Sequence, residues 1–194
     1  MTVPEMDRKT LRAFIAFTLP RAIVAAIGSI QENLKAYGFR VRWIRPENIH
    51  LTLKFLGEIN PDDVPKIIDA MALAARGQRP FSLSAGAVGV FPGLSRARVI
   101  WTGLTGQVDA LTKLHQSLDA GLIKLGFPGE PRKFKGHLTI GRFKGKADPQ
   151  KLGRAITACR DFNSDFFTAD KLVLFKSDLQ PSGAVHTRLA SISL

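Results

Sequence analysis

Short apolar runs and stretches of helical periodicity follow one another along the chain, and together they predict mixed α and β structure. Residues 11–18 (Leu-Arg-Ala-Phe-Ile-Ala-Phe-Thr) are an apolar run suited to a strand covered on both faces. Pro20 fits the first turn of a helix, and Ile23, Ile27, Ile30 and Leu34 recur at helical spacing up to Gly38. Residues 41–44 read as a short strand, and Pro46-Glu47-Asn48 turns the chain into a second clear strand at 49–56. Pro61-Asp62-Asp63 opens a helix with its acids where the macrodipole favours them; Gly77 and Pro80 end it. Residues 81–90 alternate apolar with small or polar, Phe91-Pro92-Gly93 turns, and 97–103 is a strand around Val99, Ile100 and Trp101. A long helix over 106–125 sets Leu111, Leu114, Leu118 and Leu122 on one face and stops at Gly126. A strand at 137–143, a helix at 148–159 and two strands at 165–176 and 184–193 complete the chain. Met1 to Thr10 reads as a loose leader.

Several strands succeed each other without a helix between them, which implies antiparallel pairing. There is no regular βα alternation and no glycine-rich nucleotide fingerprint after a strand. The expected class is α+β, with sheets covered on one side by helices. No linker divides the chain, so residues 1–194 are expected to form a single domain.

Charge narrows the function. Lys plus Arg number 28 against 16 Asp plus Glu, a formal net charge of +12, spread through the chain and not gathered in a tail. A folded domain with a basic face attracts polyanions such as nucleic acid. The single cysteine, Cys159, excludes an internal disulfide and a thiolate zinc cluster; it reads as a small core residue. The apolar run at 13–19 follows basic residues as a secretory signal would, but Pro20-Arg21 breaks it and no cleavage site follows. It is also much shorter than the ~20 residues that span a bilayer. A cytoplasmic protein without a membrane partner is expected.

One short sequence occurs twice. Asn48-Ile49-His50-Leu51-Thr52-Leu53 returns as Lys135-Gly136-His137-Leu138-Thr139-Ile140, each copy in a predicted strand. Residues two apart in a strand share a face, so His50 projects with Thr52 and His137 with Thr139. Ile49, Leu51, Leu53 and Phe55 are then expected to face the core, as are Leu138 and Ile140. If two similar lobes bring the copies together, one cleft holds two imidazoles and two hydroxyls. Histidine titrates near ~6.5, so one ring can accept a proton while the other donates one, and the threonines can donate to phosphate oxygens. Neither copy carries the His-x-x-x-His spacing or nearby carboxylate of a metal site. His115, on the long helix, reads as a surface or boundary residue, and His186 as structural. Lys54 alternates onto the face of His50 and is a candidate for RNA backbone contact. Alternation puts Arg142 opposite His137 unless a bulge re-aims it. Phe91 and Trp43 could stack on a base, but core packing is their ordinary use.

With these residues the chain resembles the two-histidine (2H) phosphoesterases, and within them the RNA 2′,3′-cyclic phosphodiesterases, also known as 2′-5′ RNA ligases. The resemblance runs through Arg12 to Ala16, Arg42-Trp43 and Pro46 to Gly57, Gly89 to Pro92, His137 to Arg142 and Leu172 to Ser177. It implies a bilobal fold with pseudo-twofold symmetry and a central cleft. It also implies metal-independent hydrolysis of an RNA 2′,3′-cyclic phosphate end, tRNA-derived ends included, to a 2′-phosphate, by a monomer without cofactor. By that analogy His50 donates a proton to the departing 3′ oxygen, His137 activates water, and Thr52 and Thr139 hold the phosphate. Reverse 2′-5′ ligation would use the same histidines; a non-catalytic basic RNA-binding module is the alternative. Two positions depart from the family: Gly136 where proline is usual, and His186 where tyrosine is frequent.

Overall fold

The first apolar run is strand β1 (Leu11–Thr18), and its residues 13–17 are all buried. The structure, a computed structural model, describes residues 10–181 and 183–194, so apart from exposed Thr10 the expected leader lies outside the described residues. The helical periodicities become α1 (Arg21–Lys35), α2 (Val64–Ala75), α3 (Val108–Lys124) and α4 (Pro149–Ala158). The remaining strands are β2 (Val41–Trp43), β3 (His50–Ile59), β4 (Phe81–Phe91), β5 (Val99–Gly106), β6 (Leu138–Phe143), β7 (Asn163–Ala169), β8 (Lys171–Gln180) and β9 (Gly183–Ser193).

These nine strands form one sheet in the order β7-β4-β5-β6-β3-β1-β8-β9, with β2 also on β6. Every pairing is antiparallel. Four strands lie on each side of its centre: β3-β1-β8-β9 on one side, β6-β5-β4-β7 on the other. The two halves meet through a single residue pair, Leu51 opposite Leu138, both fully buried. The α+β class and the paired lobes follow the expectation. One boundary does not: residues 165–176 are two strands in different lobes, parted at Asp170. Neither glycine nor proline marks that corner, so the local pattern carries no turn signal.

Apolar helix faces close one side of the sheet, with Ile23, Ile27, Leu34, Ile67, Met71, Leu111, Leu114, Leu118 and Leu122 all in the core. Two buried polar links tie helices to the inner strands. Gln31 on α1 donates to the carbonyls of Ile44 and Ile140, at 2.9 and 2.8 Å. Lys54 on β3 pairs with Asp119 on α3 at 2.5 Å and donates to the Pro128 carbonyl at 2.6 Å. Buried polar groups are retained when so satisfied. Cys159 is buried, as expected. No helix among the described residues is long and apolar enough to cross a membrane.

Candidate active site at the junction of the two half-sheets

The Leu51–Leu138 pair sits in the middle of both His-Leu-Thr copies. Antiparallel register about that pair sets His50 across from Thr139 and Thr52 across from His137. With both leucines in the core, the four polar side chains project from the opposite face. Each ring is held in the same way. His50 Nδ1 lies 2.8 Å from the Asn48 carbonyl, and His137 Nδ1 lies 2.8 Å from the Lys135 carbonyl. A carbonyl only accepts, so Nδ1 carries the hydrogen in both rings and Nε2 is the nitrogen free for chemistry. The Thr52 and Thr139 hydroxyls are half-buried and make no hydrogen bond among the described residues, which leaves them as donors.

Immediately after each copy the strand bulges, at Leu53 against β1 and at Ile140 against β5. An extra residue reverses the alternation that follows it. Lys54 therefore turns into the core, 5% exposed, instead of sharing the face of His50. Its expected contact with RNA is corrected to a structural ion pair. Phe55, expected in the core, is 61% exposed and approaches Phe14 on the histidine face. In β6 the same device turns Arg142 outward, onto the side of His137.

The two halves of the site differ in their walls. His50 stacks on Phe14 at 4.7 Å and meets the edge of His186 at 5.4 Å. A cavity of about 880 Å³ beside it is lined by Phe14, Thr18, Asn48, His50, Phe175 and His186. His137 meets Phe91 edge-on at 5.1 Å and Trp101 at 6.3 Å. Lys135 Nζ lies over the Trp101 ring at 4.4 Å, a cation–π contact. Trp101 can lie there because residue 89 is glycine: a Cβ would stand 2.3 Å from the indole. Phe91 thus serves the site wall, while Trp43 packs beside Gly141 against the core.

Burial pulls the His50 pKa down to about 4, with the Asn48 hydrogen bond opposing and His186 adding to the fall. His137 is also lowered, first by burial, then by the charges of Lys135 and Arg142. Both rings are therefore neutral near pH 7 in the ligand-free protein, and every charged side chain acting on them is a cation or a histidine. An anion entering the site would raise both. Among the described residues, no three His, Cys, Asp or Glu side chains cluster as metal ligands.

Sequence reasoning missed two histidines. His186 belongs to the site, against His50 and Phe14, because β9 wraps back onto β8. His115 is buried, not at the surface, and stacks on Phe134 at 3.9 Å. Neither sits in a motif; only long-range pairing locates them.

Known proteins resemble this chain in sequence and fold. A family model described as LigT-like phosphoesterase matches residues 17–101 and 104–186, one His-Leu-Thr copy in each segment. The RNA 2′,3′-cyclic phosphodiesterase of Methanothermobacter thermautotrophicus is 33% identical over 177 residues, covering 91% of this chain and 95% of its own. That of Thermotoga maritima is also 33% identical, covering 91% of each chain. Among solved structures, a protein of Thermus thermophilus superposes with a TM-score of 0.79 at 27% identity, over 95% of this chain and 98% of its own. E. coli LigT complexed with 3′-AMP shares the fold, with a TM-score of 0.72 at 24% identity, over 96% of this chain and 99% of its own.

Proposed function

This chain belongs to the LigT-like phosphoesterase family, and from that premise we propose that it hydrolyses RNA 2′,3′-cyclic phosphate ends to 2′-phosphomonoesters. The observation that carries the reading is the Leu51–Leu138 pair, which sets two identically tethered imidazoles and two unengaged hydroxyls on one face. In the reaction His137 Nε2 takes a proton from water as the water oxygen bonds to phosphorus. The bond from phosphorus to O3′ breaks, and His50 Nε2 delivers its proton to O3′. One water is consumed; a 2′-phosphate and a 3′-hydroxyl result. Thr52 and Thr139 donate to the non-bridging oxygens.

Neighbouring charge supports this division of labour. Lys135 and Arg142 oppose protonation of His137, which suits a base. Among the described residues the influences that lower His50 are burial and His186, and the phosphate's negative charge would restore the proton that burial removes. A donor set of two carbonyl-tethered imidazoles without a carboxylate suits proton transfer without a metal. The same pair runs 2′-5′ ligation when a 5′-hydroxyl replaces water as the nucleophile: His137 takes the hydroxyl proton, its oxygen bonds to phosphorus, and the bond to O3′ breaks as His50 protonates it. The proposal has the chain act as a monomeric bilobal unit in the cytoplasm.

The test is an oligoribonucleotide ending in a 2′,3′-cyclic phosphate, incubated with excess chelator, with the product end identified. A 2′-phosphate is expected, and His50→Ala and His137→Ala each reduce turnover by at least ~10²-fold, as for loss of an acid or a base. Full activity in either variant refutes the mechanism. RNA binding with no turnover at all supports a non-catalytic RNA-binding module instead.

A further inference from the structure

A second recess, of about 850 Å³, opens at the far end of β6, beyond the bulge at Ile140. Its lining includes Arg42, Arg96, Arg98, Arg142, Lys144 and Lys146, all exposed, and no acidic residue. None of the six cations is in an ion pair; the five ion pairs of the described residues lie elsewhere.

The crowding is built into the sheet. Arg42 stands directly opposite Arg142 in the β2–β6 register. Like charges facing each other across a ladder repel: burial first, and then the facing Arg42, disfavour the charge on Arg142. Backbone bonds fix the surrounding loops: Phe143 N–H donates to the Arg98 carbonyl at 3.0 Å, and Lys144 N–H to the Arg40 carbonyl at 2.8 Å. Six cations are thus held together with no counter-charge of their own, a cost that a polyanion would offset.

Two residues of the groove link it to the histidine side of β6. Arg142 lines it and also acts on His137. Arg98 N–H donates to the carbonyl of Phe91, the ring that touches His137. An RNA whose 3′ end lies between the histidines has only one direction in which to continue, through its 5′ neighbours.

We propose that this groove binds the phosphodiester backbone of single-stranded RNA on the 5′ side of the reacting end, making the protein selective for polynucleotide over mononucleotide substrates. The inference deepens the phosphodiesterase reading and rests on it for the position of the RNA end. Contacts to phosphates alone hold the strand without reading its sequence.

The variant Arg96→Ala/Arg98→Ala/Lys144→Ala/Lys146→Ala leaves Arg142 and both histidines in place. With a nucleoside 2′,3′-cyclic phosphate its kcat/KM should stay within about twofold of the parent. With a cyclic-ended octaribonucleotide its KM should rise at least tenfold at unchanged kcat. Fluorescence anisotropy with an octaribonucleotide ending in a plain 3′-hydroxyl tests the groove without turnover. There the slope of log affinity against log salt should fall by about 0.7 for each phosphate that is no longer neutralised. Equal effects on both substrates, or an unchanged oligonucleotide KM and salt slope, overturn the groove. Failure of the parent to turn over either substrate, with the anisotropy change intact, overturns the phosphodiesterase reading and spares the groove.

Discussion

The depressed pKa of His50 makes a quantitative prediction about stability. Folding buries the ring and holds its pKa at about 4, against 6.5 in the exposed chain. Between those values the unfolded chain binds a proton that the folded protein refuses. Stability therefore falls as pH drops from 6.5 towards 4, and His50 contributes no further loss below that. At about 1.36 kcal/mol per pH unit, the loss attributable to this ring is about 3 kcal/mol at pH 4. Other histidines and the carboxylates titrate over the same range, so the useful quantity is a difference. Urea unfolding of the parent and of His50→Gln, at pH 7.5 and at pH 4, cancels the shared groups. The variant should gain about 3 kcal/mol relative to the parent on acidification. Coupling to His186, which also lowers His50, leaves a smaller residual. An NMR titration of the ring in inorganic phosphate supplies the second arm, because a bound anion should raise the His50 pKa. A stability difference that is flat from pH 7.5 to 4 would refute the buried, neutral ring and, with it, the need for substrate charge to create the proton donor.

Two further outcomes follow from packing. Gly136→Pro should cost about 1–3 kcal/mol in urea unfolding, as overpacking does. A Cβ there would stand 2.8 Å from Leu111 Cδ2 and 3.1 Å from Leu104 Cδ1, so this chain's leucines occupy the space. Asp119→Asn should cost about 3 kcal/mol by the same measure, since it leaves the buried Lys54 ammonium without its counter-charge. The double variant Lys54→Met/Asp119→Leu should recover most of that stability.

The chain's sequence alone determined the element types, most of their boundaries and the two His-Leu-Thr copies. It also determined that Leu51 and Leu138 face inward, because apolar alternation is a property of neighbouring residues. Gly89 and Gly136 were visible as residues, but only the rings and leucines packed against them reveal what their missing side chains make room for. Tertiary structure decided where Lys54, Phe55 and Arg142 point. A bulge is a mismatch in count between two strands, and one strand's pattern contains no trace of its partner's length. It likewise decided that residues 165–176 divide between two lobes, that His186 joins His50, and that six cations share one groove. Each of these depends on which distant strands pair and in what register. That choice is made by burying the apolar faces of the whole chain at once, not by any segment within it.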